Sequence, residues 1–297
     1  MFEASDATTE IRYAFASPPL QDAIVAYLEI EITAGGPVED LLPPDWASIR
    51  LSVRGEWALG EDYFDTKPLG EASALHGMSG RAHWVRGGPG LVFCIGLYPL
   101  GWADLADRSA DRLANDMVPL EQVLGSDAQL LLAQMRAADD FAARVDVANT
   151  FLEALRSRSK GTKRGKELAA IRAALADPDC STAEALAERA GLSPTRLVRL
   201  TKATYGFTPK LLIRRDRFLR MLHKMEARPY AEWPHFIEEQ FVDQSHLIRE
   251  FNFFMGMSPT RYLALDRPIL TAAKESLARM MGIRVGADPE THPDEDD

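Results

Sequence analysis

Two arginines, Arg199 and Arg249, lie in two copies of one sequence pattern that are 50 residues apart. Residues 197–217 read LVRLTKATYGFTPKLLIRRDR and residues 247–267 read LIREFNFFMGMSPTRYLALDR, so that Leu, Arg, Gly, Pro, Asp and Arg recur without a gap. Such a repeat indicates a duplicated structural unit. A bidentate contact between arginine and guanine is the commonest specific contact that proteins make with DNA. The repeat therefore predicts that both arginines read base edges.

Each arginine belongs to a predicted helix that is apolar on one side and polar on the other. Leu197 and Leu200 form the apolar side of the first helix, and Leu247, Phe251 and Phe254 form that of the second. Such a helix can pack on its own domain and present its polar N-terminal part to the major groove. The alternative is that both arginines are ordinary surface charges, and the repeat argues against it. The positions assigned to DNA are Thr195, Arg196, Arg199 and Lys202 in the first copy, and Ser245, His246, Arg249 and Asn252 in the second.

Basic side chains of the first copy also suit contacts with the DNA backbone. Contacts with phosphate oxygens fix the position of a protein on DNA without specifying the sequence. The phosphate candidates are Lys202, Lys210, Arg214 and Arg215.

Turn residues place the first predicted reading helix in a helix-turn-helix unit. Gly191 interrupts an apolar helix pattern, and Ser193-Pro194 begins the next helix, because serine suits the N-cap and proline the first turn. Gly206 and Gly256 end the two reading helices, where a left-handed residue is favoured. A helix, a short turn with glycine and a second helix form a helix-turn-helix.

The second unit is expected to run from Trp233 through a turn near residues 241–243 and to resume at Gln244. Residues 208–225, which begin in the first copy and run toward the second, have the apolar period of one long connecting helix. The segment 166–265 is therefore helical throughout by its pattern.

The charge of the chain is divided between two parts. The net charge is −10, which is unusual for a protein that binds nucleic acid. Residues 160–267, however, hold 19 Lys and Arg against 13 Asp and Glu, a net charge of +6, so the remainder carries −16. A basic module in an acidic protein fits a DNA-binding part that is joined to a second domain.

The first part of the chain is predicted to be rich in β-strands. In residues 24–32 and 48–57, apolar and polar side chains alternate, which is typical of antiparallel strands with one face in water. Glycine and proline punctuate this part at 35–37 and 87–90, as the turns of a small sandwich or barrel require. From about residue 117 the pattern becomes helical.

These patterns predict an α+β protein with an N-terminal β-rich domain, sandwich- or barrel-like with flanking helices, and a C-terminal all-α domain of two helix-turn-helix units joined by a helix. The segment RSRSKGTKRGKE lacks apolar residues and is interpreted as an interdomain linker. The expected division is a β-rich effector or oligomerisation domain with C-terminal helices at 1–157, a linker at 158–166, the double helix-turn-helix at 167–267, and a short helix with an acidic disordered tail at 268–297.

The pair of units resembles the DNA-binding module of AraC-type transcription regulators. The residues that carry the resemblance are LAERAGLSPTRLVRLTKATYGFTPK at 186–210 and DQSHLIREFNFFMGMSPTRYL at 243–263. The resemblance implies a regulator in which the bases are faced by Thr195, Val198, Arg199, Gln244, Ser245, Ile248 and Arg249. Valine or isoleucine in a groove can touch a thymine methyl group. The stretches 41–53, 90–105 and 119–125 resemble more weakly a domain of unknown function that precedes this module in some regulators.

The second unit departs from the family pattern at its turn. Family members place a glycine before the aromatic residue of this turn, whereas this chain has Gln240 before Phe241. A residue other than glycine in a left-handed conformation costs about 1 kcal/mol or more. We therefore expect the second unit to read DNA less sharply than the first.

The function expected from these residues is sequence-specific binding of double-stranded DNA at two successive major grooves, as an activator or a repressor, modulated through the N-terminal domain. Further partners that this function implies are RNA polymerase, a small-molecule effector and a second copy of the chain. Two alternatives stay open: a protein-interaction module with degenerate helix-turn-helix units, and a small-molecule sensor without strong DNA specificity.

Other patterns argue against an enzyme, a metalloprotein and a membrane protein. His76 and His83 lack a matching carboxylate or a ligand spacing, so we expect no metal, and no sequence motif calls for a cofactor. No apolar run approaches the ~18 residues of a membrane span. Cys94 and Cys180 form no CxxC pair, which favours a reducing compartment. The acidic start MFEASDATTE is unlike a signal peptide, so a cytoplasmic location is expected.

Overall fold

The computed structural model of the 297-residue chain has an N-terminal part rich in β-strands and a C-terminal part of helices, which confirms the predicted α+β fold class. The structure describes residues 8–33, 35–60, 67–70, 73–106, 108–158, 164–226 and 244–280. Within these ranges, no helix is long and apolar enough to cross a membrane.

Within the described residues, ten strands form two antiparallel sheets. The first sheet has six strands in the order β1-β2-β9-β4-β7-β10, and the second has four in the order β3-β8-β5-β6. The strands are β1 (Thr9–Ala14), β2 (Ile24–Ile32), β3 (Val38–Leu42), β4 (Ala47–Arg54), β5 (Trp57–Gly60), β6 (Lys67–Gly70), β7 (Ser73–His76), β8 (His83–Gly87), β9 (Gly90–Leu97) and β10 (Met117–Pro119).

The described helices follow the strands in the sequence, except for α1, which lies between β9 and β10. They are α1 (Pro99–Leu105), α2 (Glu121–Leu124), α3 (Ser126–Ala137), α4 (Phe141–Arg158), α5 (Gly165–Ala176), α6 (Ala183–Arg189), α7 (Pro194–Tyr205), α8 (Pro209–Glu226), α9 (Gln244–Met255), α10 (Pro259–Leu263) and α11 (Pro268–Met280). Short 3-10 turns lie at Pro18–Leu20 and Ala110–Arg112.

The two sheets form a sandwich that is covered by helices on one side. Ile30 and Val92 of the six-stranded sheet and Trp57 of the four-stranded sheet belong to one buried apolar cluster, which is the core between the sheets. Tyr27 on the other face of the six-stranded sheet packs in a second cluster with Phe151 of α4. The six-stranded sheet is therefore buried on both faces.

The alternating pattern locates β2 and β4 correctly, but its prediction of one face in water is wrong. Glu29 of β2 is fully buried, with Arg12 Nη1 at 2.9 Å from its Oε1 and Arg144 Nε of α4 at 2.5 Å from its Oε2. Arg50 and Ser52 of β4 are also buried. Alternate side chains of each strand therefore face two different buried regions. The buried charge of Glu29 is tolerated because it is paired with the two arginines.

The repeat in the sequence is also a repeat in the structure. Helices α7 and α9 begin and end 50 residues apart, and so do the starts of α8 and α10. The predicted long connecting helix is α8. The correspondence ends near Pro268: α8 continues to Glu226, whereas α10 stops at Leu263 and α11 begins at Pro268. A proline inside a helix loses a backbone hydrogen bond and clashes with the preceding turn, so the second copy breaks there.

Helix α11 returns from the second copy to the β-sandwich. The side chain of Ile269 joins the cluster between the sheets, and Leu270 N donates a hydrogen bond to Asp40 Oδ2 at 2.8 Å. Asp40 is fully buried in β3, and this burial raises its pKa to about 6. A carboxylate is favoured at the N-terminus of a helix, where backbone N–H groups lack partners. The acidic tail expected after α11 lies outside the described residues.

Candidate nucleic-acid interface

Capping hydrogen bonds define the first helix-turn-helix, which consists of α6 and α7. Thr182 Oγ1 accepts from Ala185 N at 3.1 Å at the start of α6, and Ser193 Oγ accepts from Arg196 N at 3.3 Å at the start of α7. Between the helices, Gly191 has a φ of 65°, in the left-handed region that glycine tolerates best. Serine and glycine therefore have the local roles that the sequence predicts for them.

The outer side of α7 carries exposed side chains that can meet base edges. Thr195, Val198 and Arg199 are exposed, whereas Leu197 and Leu200 are each 1% exposed and dock the helix on its own domain. The helix thus has the buried and exposed sides that a reading helix requires. The phosphate candidates that are also exposed are Lys202 and Lys210.

Helix α9 repeats this division between buried and exposed positions residue by residue. Each position from 197 to 205 has the same degree of burial as the position 50 residues later. Val198 is 40% exposed and Ile248 is 46% exposed, so a large aliphatic side chain faces solvent at the same place in both helices. Ser245 and Arg249 are exposed on the same helix as Ile248. The repeat therefore duplicates a surface as well as a fold.

Arg196 of α7 is engaged by α5. Its Nε lies 2.9 Å from Glu167 Oε1, and its Nη2 lies 2.6 Å from Glu167 Oε2. The hydrogen bonds from Arg196 lower the pKa of Glu167, which burial slightly opposes. A contact between Arg196 and a base would require this pair to open.

Arg214, a phosphate candidate, joins α8 to α9. Its Nε lies 2.9 Å from each carboxylate oxygen of Glu250, and its guanidinium carbon lies 4.1 Å from the centre of the Phe253 ring. A guanidinium paired and stacked in this way stabilises the contact between the two helices. The side chain therefore has a structural role in this conformation.

Arg215, also a phosphate candidate, is corrected to a structural residue. Its side chain is 2% exposed, its Nε donates to Ser79 O at 3.0 Å, and its Nη1 lies 3.2 Å from Asp216 Oδ1. Burial lowers the pKa of Arg215, and the charge of Asp216 opposes this change. Arg215 lies three residues after Leu212 and three before Phe218, on the buried stripe of α8, and this spacing is the signal in the sequence that the side chain points inward.

Helices α7 and α9 both rest with their C-terminal ends against the β-sandwich part of the chain. The backbone N of Ala82, next to β8, donates to Phe254 O of α9 at 2.6 Å. Gly206, at the end of α7, approaches the turn at Ala110 so closely that a Cβ would lie 3.1 Å from Ala110 O. The exposed side chains precede these ends, from Thr195 to Lys202 in α7 and from Ser245 to Asn252 in α9, as contacts with a groove require.

Part of the predicted site lies outside the described residues. This applies to the side chains of Gln244 and His246, and to the segment in which the sequence predicts the first helix and the turn of the second unit, with Gln240 and Phe241. The departure from the family glycine at this turn therefore stays a prediction.

Two carboxylates hold arginines in place, and no motif in the sequence predicts either of them. Glu167 lies 29 residues from Arg196, and Glu250 lies 36 residues from Arg214, so only the fold brings each pair together. Glu250 is 7% exposed at the position that corresponds to Leu200 in the first copy. An acidic residue on an otherwise apolar stripe is the one sign of this contact in the sequence.

Metal-binding side chains do not cluster in the part of the chain that the structure describes. No group of three or more His, Cys, Asp or Glu residues comes together there in a way that could hold an ion. The rings of His76 and His83 are 5.0 Å apart between the two sheets.

Neither a protein-family model nor a curated protein matches the chain. Among solved structures, it is similar to ToxT from Vibrio cholerae O395, at 10% identity and a TM-score of 0.42, over 86% of this chain and 96% of that chain. It is also similar to the AraC-like transcriptional activator CuxR, at 15% identity and a TM-score of 0.32, over 77% of this chain and 96% of that chain.

Proposed function

We propose that the protein is a DNA-binding transcription regulator whose helices α7 and α9 enter two successive major grooves of one duplex. The observation that carries the proposal is the duplicated surface, in which positions 197–205 and 247–255 share their burial and expose an arginine and an aliphatic side chain at equivalent places. Two reading helices on one chain suit grooves on one face of the DNA, about one helical turn apart.

The candidate side chains divide into three roles. We assign Arg199 and Arg249 to guanine, and Val198 and Ile248 to thymine methyl groups. Lys202 and Lys210 neutralise phosphates, which positions the protein without specifying sequence. The remaining base-edge candidates are Thr195, Gln244, Ser245 and, once Glu167 releases it, Arg196.

The β-sandwich is the regulatory part of this proposal. It contacts the end of α9 through Ala82 and Phe254, and it holds α8, the helix between the two units, through Ser79 and Arg215. A change in the sandwich at these contacts would alter the spacing or angle of the two reading helices. Since half-site spacing follows the spacing of reading helices, such a change would alter DNA affinity.

The test is selection of bound sites from a random pool of duplexes by the full-length protein. The expected result is two blocks of preferred sequence about 10 base pairs apart. The logarithm of the affinity should fall with the logarithm of salt concentration, by roughly 0.9 for each phosphate neutralised.

A double variant, Arg199→Ala with Arg249→Ala, should lose both blocks. Arg54→Ala is the matched control, because Arg54 is an exposed arginine of the sandwich, where it pairs with Glu31. A pool without enriched sites, together with an affinity that does not change between low and physiological salt, would remove the proposal and leave the protein-interaction module as the better explanation.

A further inference from the structure

The repeat extends beyond the reading helices to the helices that support them. Helix α5 ends at Ala176, and α8 ends 50 residues later, at Glu226. Buried apolar side chains recur at the same offset on the two helices, as Leu168, Ile171 and Leu175 of α5 and Phe218, Met221 and Met225 of α8. Each set belongs to the apolar cluster that buries the reading helix of its unit. The C-terminal half of α8 therefore supports α9 as α5 supports α7.

Arg217 of α8 occupies the place that Glu167 of α5 has in the first unit, because the two residues are 50 positions apart. In the first unit this place lies beside the first turn of the reading helix, where Arg196 donates two hydrogen bonds to Glu167. The pKa of Glu167 is lowered by these bonds and, to a smaller extent, by the charges of Arg164 and Arg199. Since Arg199 is assigned to guanine, this place borders the proposed DNA-contacting surface.

Contacts of the neighbouring residues on α8 show that Arg217 lies close to α9. Arg214, about one turn earlier, has its Nε 2.9 Å from each carboxylate oxygen of Glu250. The ring of Phe218, the next residue, has its centre 5.3 Å from that of Phe251. Arg217 is exposed between these two contacts. It therefore flanks the second reading helix, as the repeat predicts.

The charge of Arg217 is not neutralised by the part of the chain that the structure describes. Within those residues, its side chain forms no hydrogen bond or ion pair. The adjacent carboxylate, Asp216, pairs instead with the buried Arg215. The place beside the reading helix thus carries a negative charge in the first unit and a positive charge in the second.

We propose that Arg217 binds a phosphate of the DNA backbone beside the second major groove. This assignment rests on the proposed function, because it requires α9 to enter that groove. A phosphate fits better than a base edge, since Arg217 belongs to the supporting helix and not to the helix in the groove. A guanidinium can donate two parallel hydrogen bonds to a phosphate. In the first unit Glu167 repels the backbone at the same place, so only the second unit binds DNA through its supporting helix.

Salt dependence tests the charge of this contact. The full-length protein is titrated with a duplex that carries both selected blocks, at about 50 mM and about 200 mM salt. Arg217→Gln removes one phosphate contact, so its salt slope should be lower by about 0.9. The wild type should then lose about threefold more affinity than the variant over this range. Arg217→Lys keeps the positive charge and should keep most of the slope.

Two further measurements distinguish a backbone contact from a structural role. Site selection with Arg217→Gln should return the same two blocks, because a phosphate contact does not specify sequence. Duplexes in which one phosphate at a time is replaced by an uncharged methylphosphonate should locate the contact. With the wild type, replacement of a phosphate beside the second block should weaken binding. With Arg217→Gln, the same replacement should have no effect, while replacements elsewhere keep theirs.

Arg279→Ala is the matched control. Arg279 is an exposed arginine of α11, the helix that returns to the β-sandwich, so its removal should leave the salt slope unchanged. Thermal unfolding of each variant checks its fold. If Arg217→Gln does not fold, Arg217→Ala takes its place as the neutral variant.

Each failure has a distinct result. Equal salt slopes for the folded neutral variant and the wild type would overturn the contact and make Arg217 an ordinary surface charge. A changed second block would overturn the phosphate in favour of a base edge. An equal loss of slope with Arg279→Ala would mean that any positive charge acts on DNA, without a specific contact. A wild-type affinity that does not change with salt would instead remove the proposed function, and this result appears before any variant is compared.

Discussion

The two helix-turn-helix units present matching surfaces on different interiors. The buried side of α7 joins a large cluster that continues into the β-sandwich and its helices. The buried side of α9 packs in a smaller cluster of aromatic and methionine side chains, in which Phe218 lies 4.7 Å from Phe254 and 5.3 Å from Phe251 between ring centres. Helices α7 and α9 therefore share the pattern of their exposed side chains but pack in different cores. This difference is expected where the exposed surface carries the function.

The units also differ in how an arginine–carboxylate pair holds each reading helix. In the first unit the arginine, Arg196, belongs to the reading helix and Glu167 lies behind it on α5. In the second unit the carboxylate, Glu250, belongs to the reading helix and Arg214 lies behind it on α8. When its pair opens, only the first unit gains a free cation on the helix that we propose to enter the groove. This reversal favours the first unit as the sharper reader.

The largest expected effect is a loss of stability that differs between the cores of the two units. Phe251→Ala should lower the free energy of unfolding by about 3–5 kcal/mol, because a fully buried ring is lost from a small cluster. Thr201→Ala, at the equivalent position of α7, should cost about 1–2 kcal/mol through its methyl group and its hydrogen bond to Val198 O. Urea unfolding measures both values. Equal losses would show that the two cores depend on this position to the same extent.

The second prediction compares the two arginines at the DNA. Loss of a good bidentate guanine contact costs about 1–3 kcal/mol of discrimination. Arg199→Ala should therefore abolish the preference at one base pair. Arg249→Ala should weaken binding with a smaller change in preference, because Gln240 replaces the glycine of the family pattern before α9 and we expect this change to seat Arg249 less well. Site selection with each variant gives the comparison. A sharper second block, or full loss of specificity with Arg249→Ala, would contradict the asymmetry.

The third prediction concerns Asp40, the carboxylate that holds α11 after the second unit. Its folded pKa of about 6 lies above the ordinary value of 3.8. Its contribution to stability is therefore fully present below pH 3.8 and is lost as the pH rises through 6. Asp40→Asn does not titrate, so its stability relative to the wild type should improve between pH 4 and 7, by an amount of order 2 kcal/mol. Chemical unfolding at both pH values measures this change, and a constant difference would mean that Asp40 does not titrate in this range.

Much of this fold could be predicted from the sequence because local signals agree with it. Ser193, Gly206 and Ser258 have the capping roles that their residue types favour, and the apolar period predicts the extent of α8. The surface of the reading helices follows from the same periodicity, since a helix that packs on one side exposes the other.

The contacts between distant elements could not be predicted in this way. Glu29 looks like a surface residue in an alternating strand, and only the packing of α4 over it makes it a buried partner of Arg144. Arg215 likewise looks like a phosphate ligand until Ser79, 136 residues away, is seen to accept its hydrogen bond. Charge indicates that a partner exists, but the tertiary fold decides whether it is DNA, a carboxylate or a backbone carbonyl.

The smallest expected effect comes from opening the pair that holds Arg196. Glu167→Gln should raise DNA affinity at low salt by less than about fivefold, because ion pairs between partly exposed side chains contribute little. If the freed guanidinium reaches a phosphate, the salt slope should steepen by about 0.9, with the preferred sequence unchanged. If it reaches a base edge, the salt slope should stay the same and a new base preference should emerge in the first block.

Glu250→Gln is the matched change in the second unit. It breaks the contact between Arg214 of α8 and α9, and the proposed function gives Arg214 no contact with DNA, so it should lower stability without any gain in affinity. A similar gain in affinity with both variants would mean that the added positive charge attracts DNA over a distance, without a specific contact. The two arginine–carboxylate pairs would then not explain a difference between the two units.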